Sequence, residues 1–373
     1  GIIFYHLLKF FNDVFFIEEI LKKNQINLLL QDENQFYPSS LLFQLALKNK
    51  IKCYIKAGER KYITLRKYEK LHECYEHKLK FSKKLIRKIF HSKHKKKIIL
   101  SGKNSIRARF YAKPIKTDSK DAKHFNIGNI ISKKNLIKKF KWNYKKPIGI
   151  IFANNLTDGV FIRSWNLFRD NVSWLKFILN EIKKNDEINW IVKEHPSDVK
   201  NNVKYGTKYL FKSIIRNKKN IKLLPKNINA KSLHKVVDFV FSSHGSAGLE
   251  YPFLGIPCIT SAESLYSGLG FTYECNSLTK LKNAIKNPLR IKPIDNRTRD
   301  LLCIYLDVYI NRAKFEVRMT DFKTDNTINL NEFNKNLYNY WKKNNIYNGD
   351  FEKALEIQCK NSYRHTVNLF DIT

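Results

Sequence analysis

The chain has 373 residues, 43% of them hydrophobic and 13% aromatic, which supports sizeable cores and excludes a disordered chain. Its 70 Lys+Arg stand against 33 Asp+Glu, a formal charge of +37 that suits polyanionic surroundings: nucleic acid, anionic lipid or a charged glycan. Lys, Asn and Ile are abundant throughout while Gly and Pro are scarce, so compositional drift accounts for most of the excess and attraction to an anionic membrane surface for part of it.

The opening stretch Gly1–Leu21 is apolar but interrupted by His6, Lys9, Asn12, Asp13, Glu18 and Glu19, so it reads as an amphipathic helix rather than a bilayer span or a secretory signal. Gly1 stands where a Met is expected, which suggests that an element of the first domain precedes it. Ile26–Leu30 reads as a buried strand, Gln31-Asp32-Glu33-Asn34 as the polar loop after it, Ser39–Lys48 as a helix and Ile51–Ile55 as a second strand. Lys67–Lys97 is strongly basic and mostly helical in pattern. Asp118–Trp142 is polar and poorly patterned, which puts a domain boundary near Lys145.

A second alternation follows. Strands are predicted at Ile148–Ala153, Ile188–Val192, Ile221–Leu223, Phe239–Phe241 and Ile256–Thr260. Helices are predicted at Asp170–Lys184, Lys204–Arg216, Ala230–Val236, Leu249–Leu254 and Arg297–Arg318. The fold class is therefore α/β: two Rossmann-like domains facing a cleft, as in the type-B glycosyltransferase architecture, with a helical C-terminal tail. The expected domains are 1–145, 146–296 and a tail, 297–373, that packs back across them. Cys53, Cys74, Cys258, Cys275, Cys303 and Cys359 form no CxxC pair and read as free thiols of a reducing cytosol.

Chemistry concentrates in two places. In Asp238-Phe-Val-Phe-Ser-Ser-His-Gly-Ser-Ala-Gly-Leu-Glu250 an apolar strand ends in Ser242 and Ser243, and a loop of His244, Gly245, Ser246 and Gly248 opens into a helix. Backbone N–H groups, hydroxyls and the helix start suit a phosphate, and Glu250 can accept from sugar or ribose hydroxyls. A tight strand–helix turn capped by serine accounts for the same residues. The other place is Lys193-Glu-His-Pro196, at the carboxyl end of a strand, where ligands of open parallel sheets bind. His195 can donate to a phosphate or protonate a leaving oxygen, although a surface histidine fixed by the next proline is common.

The Lys-x-His-Pro tip followed by Ser-Ser-His-Gly-Ser-Ala-Gly-Leu-Glu resembles the bacterial capsule polysaccharide biosynthesis family. Trp165–Trp174, Gly255–Thr260 and Tyr266–Thr272 extend the match, which covers roughly Ile148–Thr272. The family includes transferases for the acidic sugar Kdo, and the His-Pro and Ser-Ser pairs are also similar to those of bacterial sialyltransferases. The resemblance implies a CMP-linked donor, with His195 and Ser242–Ser246 near its phosphate; Lys193 and Tyr266 are further candidates for the donor site, and since cationic side chains and backbone dipoles can neutralise the leaving group, no metal or other cofactor is expected. Glu194 stands where a neutral residue is expected.

In this architecture the catalytic base comes from the first domain, so Asp32 and Glu33 are candidates, with a plain polar turn as the alternative. Asp158 is expected to orient the donor or to make a turn. Arg163, Arg169, Lys103, Arg107 and Arg109 are unassigned candidates for an acidic acceptor. The expected function is sugar transfer to a growing surface glycan or glycolipid by a cytoplasmic protein in peripheral contact with the anionic inner membrane. Two alternatives stand beside it: a basic module binding nucleic acid or anionic glycan without catalysis, and a nucleotide-sugar epimerase. No recognised nucleic-acid motif supports the first.

Overall fold

The computed structural model describes residues 2–57, 62–111, 128–158, 163–200, 204–312 and 315–316, with Lys335 and Asn339. The chain divides into two units, one made of residues 1–79 and 307–373, the other of residues 80–306.

The first unit carries a four-stranded sheet, β1 (Leu28–Gln31), β2 (Lys52–Ala57), β3 (Tyr62–Tyr68) and β10 (Phe315–Glu316), in that order. β1 and β2 are parallel, while β3 runs antiparallel to both β2 and β10. The sheet is thus mixed. Lys67 and Tyr68, expected to open the mostly helical stretch Lys67–Lys97, instead end strand β3, with Tyr68 fully buried against Phe43. Helix α1 (Ile2–Lys23) and helix α2 (Ser39–Lys48) pack on this core through Leu21 and through Leu41, Phe43, Leu45, Ala46 and Leu47.

The second unit is built on a six-stranded sheet of β4 (Ile148–Phe152), β5 (Asn189–Lys193), β6 (Ile221–Leu223), β7 (Phe239–Ser242), β8 (Cys258–Thr260) and β9 (Tyr273–Glu274). Its order is β6-β5-β4-β7-β8-β9 and every neighbouring pair is parallel. This is the doubly wound order in which the chain works outward from β4 on one side, then crosses to the other, leaving a switch point between β4 and β7. Successive residues of each strand face opposite cores. Ile151, Trp190, Val192, Phe239 and Phe241 pack on one face with Trp174 and Leu175. Ile150, Ile191 and Val240 pack on the other with Leu136, Trp142 and Tyr251. Gly149 makes room for this arrangement: a Cβ there would lie 2.2 Å from the Phe239 ring.

Helices α3 (Lys83–Phe90), α4 (Lys95–Tyr111), α5 (Lys133–Phe140), α6 (Asn171–Ile182), α7 (Pro196–Lys200), α8 (Thr207–Ile214), α9 (Ala247–Phe253), α10 (Leu278–Lys286) and α11 (Asn296–Asp307) surround this second sheet, with 3-10 turns at Ala230–Lys235 and Pro288–Arg290; a further 3-10 turn, Leu71–Tyr75, belongs to the first unit. Asp170 caps α6, accepting from the Ser173 N–H at 2.6 Å, which stabilises a helix start by about 1 kcal/mol. The boundary expected at 145/146 falls inside this unit. The reason is packing: Leu136 and Trp142 lie under the second sheet, and Gly102 of α4 abuts the Cys303 backbone so closely that a Cβ would sit 1.9 Å from its carbonyl oxygen. Of the expected tail, α11 and a π-helical turn at Val308–Arg312 are seen, and most of the remainder lies outside the described residues.

Cys53, Cys74, Cys258, Cys275 and Cys303 are free and buried, and burial pushes the Cys53 thiol up to about 12 and that of Cys303 to about 11. Cys359 lies outside the described residues. Among the described residues no helix is long and apolar enough to cross a membrane.

Candidate donor site

A cavity of about 350 Å³ opens at the carboxyl ends of β4, β5 and β7, beside the switch point. Its walls are the segment after β4 (Phe152–Asn155 and Asp158), the tip after β5 (Lys193, His195, Pro196), the loop after β7 (Ser242 and His244–Ala247), Glu250 of α9 and Arg109 of α4. Two segments singled out in the sequence, the His-Pro tip and the Ser-Gly loop, therefore meet at one place. A larger hollow of about 640 Å³ beside β8, β9 and α10 holds Asn283, Asn287, Arg290 and Lys292, with neither a carboxylate nor a histidine in its wall.

The loop after β7 is held from behind. The Ser242 hydroxyl accepts from the Gly245 N–H at 3.1 Å, and the Ser243 carbonyl accepts from the N–H groups of Ser261 and Ala262, each at 3.1 Å. Tyr266, fully buried, donates its hydroxyl to the Gly245 carbonyl at 2.7 Å. Gly248 allows this: a Cβ there would lie 2.0 Å from the Tyr266 oxygen. Ser243, Gly248 and Tyr266 thus support the loop rather than line the cavity, unlike Ser242, His244, Gly245 and Ser246.

The His-Pro tip is pinned by a carboxylate that sequence reasoning passed over. Asp198 is buried, and it accepts from the Thr207 hydroxyl at 3.0 Å and the Leu156 N–H at 3.4 Å, tying the tip to the segment after β4. The Nδ1 of His195 accepts from the Ser197 N–H at 3.2 Å, so the neutral ring carries its proton on Nε2. Glu194 is not among the residues of the cavity wall.

Charge in the site is unevenly shared. Burial lowers the Lys193 ammonium to about 8, against the opposing pull of Glu250 and Glu194. Glu250, 3% exposed, has Oε1 at 2.8 Å from Arg109 Nη2. Asp158 lines the cavity and also closes a turn, its N–H donating to the Asn155 carbonyl at 3.2 Å. Nearby, burial lowers Arg163 to about 10, opposed by Asp158, Glu263 and Tyr266. The Arg163 Nη1 donates to the Glu263 carbonyl at 3.1 Å.

Asn154 and Asn155 were also missed. Asn171 donates to the Asn155 carbonyl at 2.9 Å, and its oxygen accepts from Asn154 Nδ2 at 3.3 Å. Asn154 Nδ2 stands 3.0 Å from Nδ1 of His244. No local signal marks these asparagines in a chain so rich in Asn. Asp32 and Glu33 follow β1 in the first unit, where the Asp32 carbonyl accepts from Lys78 Nζ at 2.6 Å and the Glu33 carboxylate from the Gln35 N–H. Among the described residues no three His, Cys, Asp or Glu side chains cluster as a metal site.

Residues 59–293 match the family described as capsule polysaccharide biosynthesis protein. No curated protein matches the chain. Solved structures similar to it include two from Thermosulfurimonas dismutans KpsC. The beta Kdo 2,4 transferase is 12% identical over 78% of this chain and 80% of its own, with a TM-score of 0.43. The beta Kdo 2,7 transferase is 14% identical over 87% and 88%, also with a TM-score of 0.43. The UDP-GlcNAc 2-epimerase from Neisseria meningitidis bound to UDP-GlcNAc is 14% identical over 80% and 77%, with a TM-score of 0.31.

Proposed function

Because the chain belongs to the capsule polysaccharide biosynthesis protein family, we propose that it is a glycosyltransferase moving a sugar from a nucleotide donor to a growing capsule or other surface glycan. The observation that carries this reading is the convergence of Lys193, His195, Arg109, the Ser242–Ser246 loop and the buried Glu250 on one cavity at the switch point of a parallel sheet.

In this reading the donor phosphate lies between Lys193, His195 and the loop, and Glu250 accepts from hydroxyls of the nucleotide ribose. An acceptor hydroxyl attacks the anomeric carbon, and the new C–O bond forms as the bond to the phosphate oxygen breaks. The electron pair leaves on the phosphate, whose charge Lys193 and the Nε2 proton of His195 stabilise. The acceptor proton goes to a general base. We take the donor to be a CMP-linked acidic sugar such as Kdo, on the strength of the His-Pro and Ser-Ser pairs.

Calorimetry of the full chain with CMP, UDP and GDP tests this. CMP binding that disappears in Lys193→Ala is the expected result. Binding of UDP or GDP alone overturns the CMP donor and leaves transfer standing. Binding of no nucleotide overturns the transferase reading itself.

A further inference from the structure

Helix α1 exposes an apolar face along its first turns, with His6, Lys9, Asn12 and Asp13 on the opposite side. Ile3, Phe4, Leu7, Phe11, Phe15 and Phe16 are between 50% and 78% exposed. Only its later part, through Val14, Ile17 and Leu21, meets the core of the first unit. A helix with an exposed apolar face and polar, partly basic groups opposite it lies in the interface of a membrane with that face buried.

The charged and aromatic groups around it fit the surface of an anionic bilayer. Glu18 and Glu19 are neutralised by Lys48 at 3.0 Å and by Lys23 at 2.5 Å. Lys9 lies 5.8 Å from the centre of the Tyr37 ring, and Phe10 packs beside that ring at 6.4 Å, an arrangement of amphipathic groups suited to the headgroup level. The chain as a whole carries +37. Among the described residues no helix is long and apolar enough to cross a membrane, and Asp13, Glu18 and Glu19 interrupt this one.

We propose that α1 is a membrane anchor whose first turns insert into the outer layer of an anionic bilayer. Attachment by charge alone is released by salt; insertion is not. The anchor is independent of what the donor cavity binds.

The test is co-sedimentation of the full chain with phosphatidylcholine vesicles containing about 30% phosphatidylglycerol, in low salt and in roughly 0.5 M salt. The wild type should bind in both, and the combined variant Leu7→Glu, Phe11→Glu, Phe15→Glu should bind at least tenfold more weakly. In a second variant, Phe11→Trp, the added emission should shift to the blue when vesicles are present. Three results would overturn the proposal: full release of the wild type by salt, equal binding of the triple variant, or a Phe11→Trp emission that vesicles leave unchanged. A wild-type dimer that the triple variant dissociates, with no vesicle binding by either, would assign the face to a second copy and overturn it too.

Discussion

Asn154 aims its amide nitrogen at His244, 3.0 Å from Nδ1, with its own orientation set from behind by Asn171. The order of donors follows from the backbone. Asn171 spends its amide hydrogens on the Asn155 carbonyl, so its oxygen accepts from Asn154, and Asn154 must meet the imidazole as a donor. The same amide nitrogen lies 3.2 Å from Nε2 of His244, and Nδ1 also stands 3.0 Å from the Ser243 hydroxyl, so the imidazole sits in a network of three polar groups. Asn154→Ala should weaken nucleotide binding about tenfold and cost roughly 1–2 kcal/mol of stability. A double-mutant cycle with Asn171→Ala, read by calorimetry and thermal melting, should show coupling of about 0.5–3 kcal/mol. Strict additivity would mean the chain of amides does not act as a unit.

Lys193 sets a pH dependence. Burial has lowered its ammonium to about 8, so it is mainly charged at pH 7 and loses its proton as pH rises through 8. Nucleotide affinity should fall between about pH 7 and pH 9 in the wild type. Lys193→Arg, which stays charged throughout, should flatten that profile even if it binds less tightly. A wild-type affinity constant across the range would remove Lys193 from the phosphate site.

Gly248 and Tyr266 form a contact that admits no extra carbon, since a Cβ would lie 2.0 Å from the phenolic oxygen. Gly248→Ala should cost about 1–3 kcal/mol and weaken nucleotide binding, because Tyr266 can no longer hold the Gly245 carbonyl. Tyr266→Phe should cost about 1 kcal/mol through the lost hydrogen bond and leave the loop displaced less. If Gly248→Ala melts like the wild type, the loop is more yielding than its packing indicates.

His195→Ala should lower sugar transfer far more than it lowers stability. Its ring is partly exposed at the end of β5, and the tip is tied down by Asp198 instead. Asp198→Ala should do the reverse, reducing melting temperature along with activity, because it leaves the Leu156 N–H and the Thr207 hydroxyl without their buried acceptor. Turnover kinetics beside melting curves separate the two.

The basic excess predicts weak, unselective binding of duplex DNA that falls steeply with salt and vanishes near physiological ionic strength. CMP binding, made by oriented donors in a partly enclosed cavity, should change much less. One salt titration with both ligands decides. Tight, sequence-selective DNA binding at physiological salt with no response to nucleotide would favour the binding-module alternative.

Five of the second sheet's six strands were legible because they are short, mainly apolar runs bounded by polar turns, as in Ile148–Phe152 and Phe239–Ser242, while the two-residue β9, Tyr273–Glu274, has no such run. The site was legible where function and local conformation share the same residues: Gly245 and Gly248 mark the loop, and His195-Pro196 marks the tip. What stayed hidden depends on distant packing. Arg109, singled out in the sequence only as an unassigned candidate for an acidic acceptor, reaches Glu250 from α4, a pairing that sequence alone cannot show. The end of β3 was hidden for a related reason: Lys67 and Tyr68 open a basic stretch with the look of a solvated helix, while the burial of Tyr68 comes from α2. The boundary near Lys145 followed a drop in patterning, yet Leu136 and Trp142 before it already belong to the second core.

The pairing of β10 with β3 also orders events at the ribosome. Phe315–Glu316 joins Tyr62–Tyr68 only after residues 80–306, a complete unit in themselves, have been made. The second unit can therefore fold while the first still waits for its last strand, with the backbone of β3 unpaired along that edge. An unpaired edge is an invitation to pair with a neighbouring nascent chain, so a pause in translation between those two segments is the moment at which this protein is most exposed to misassembly.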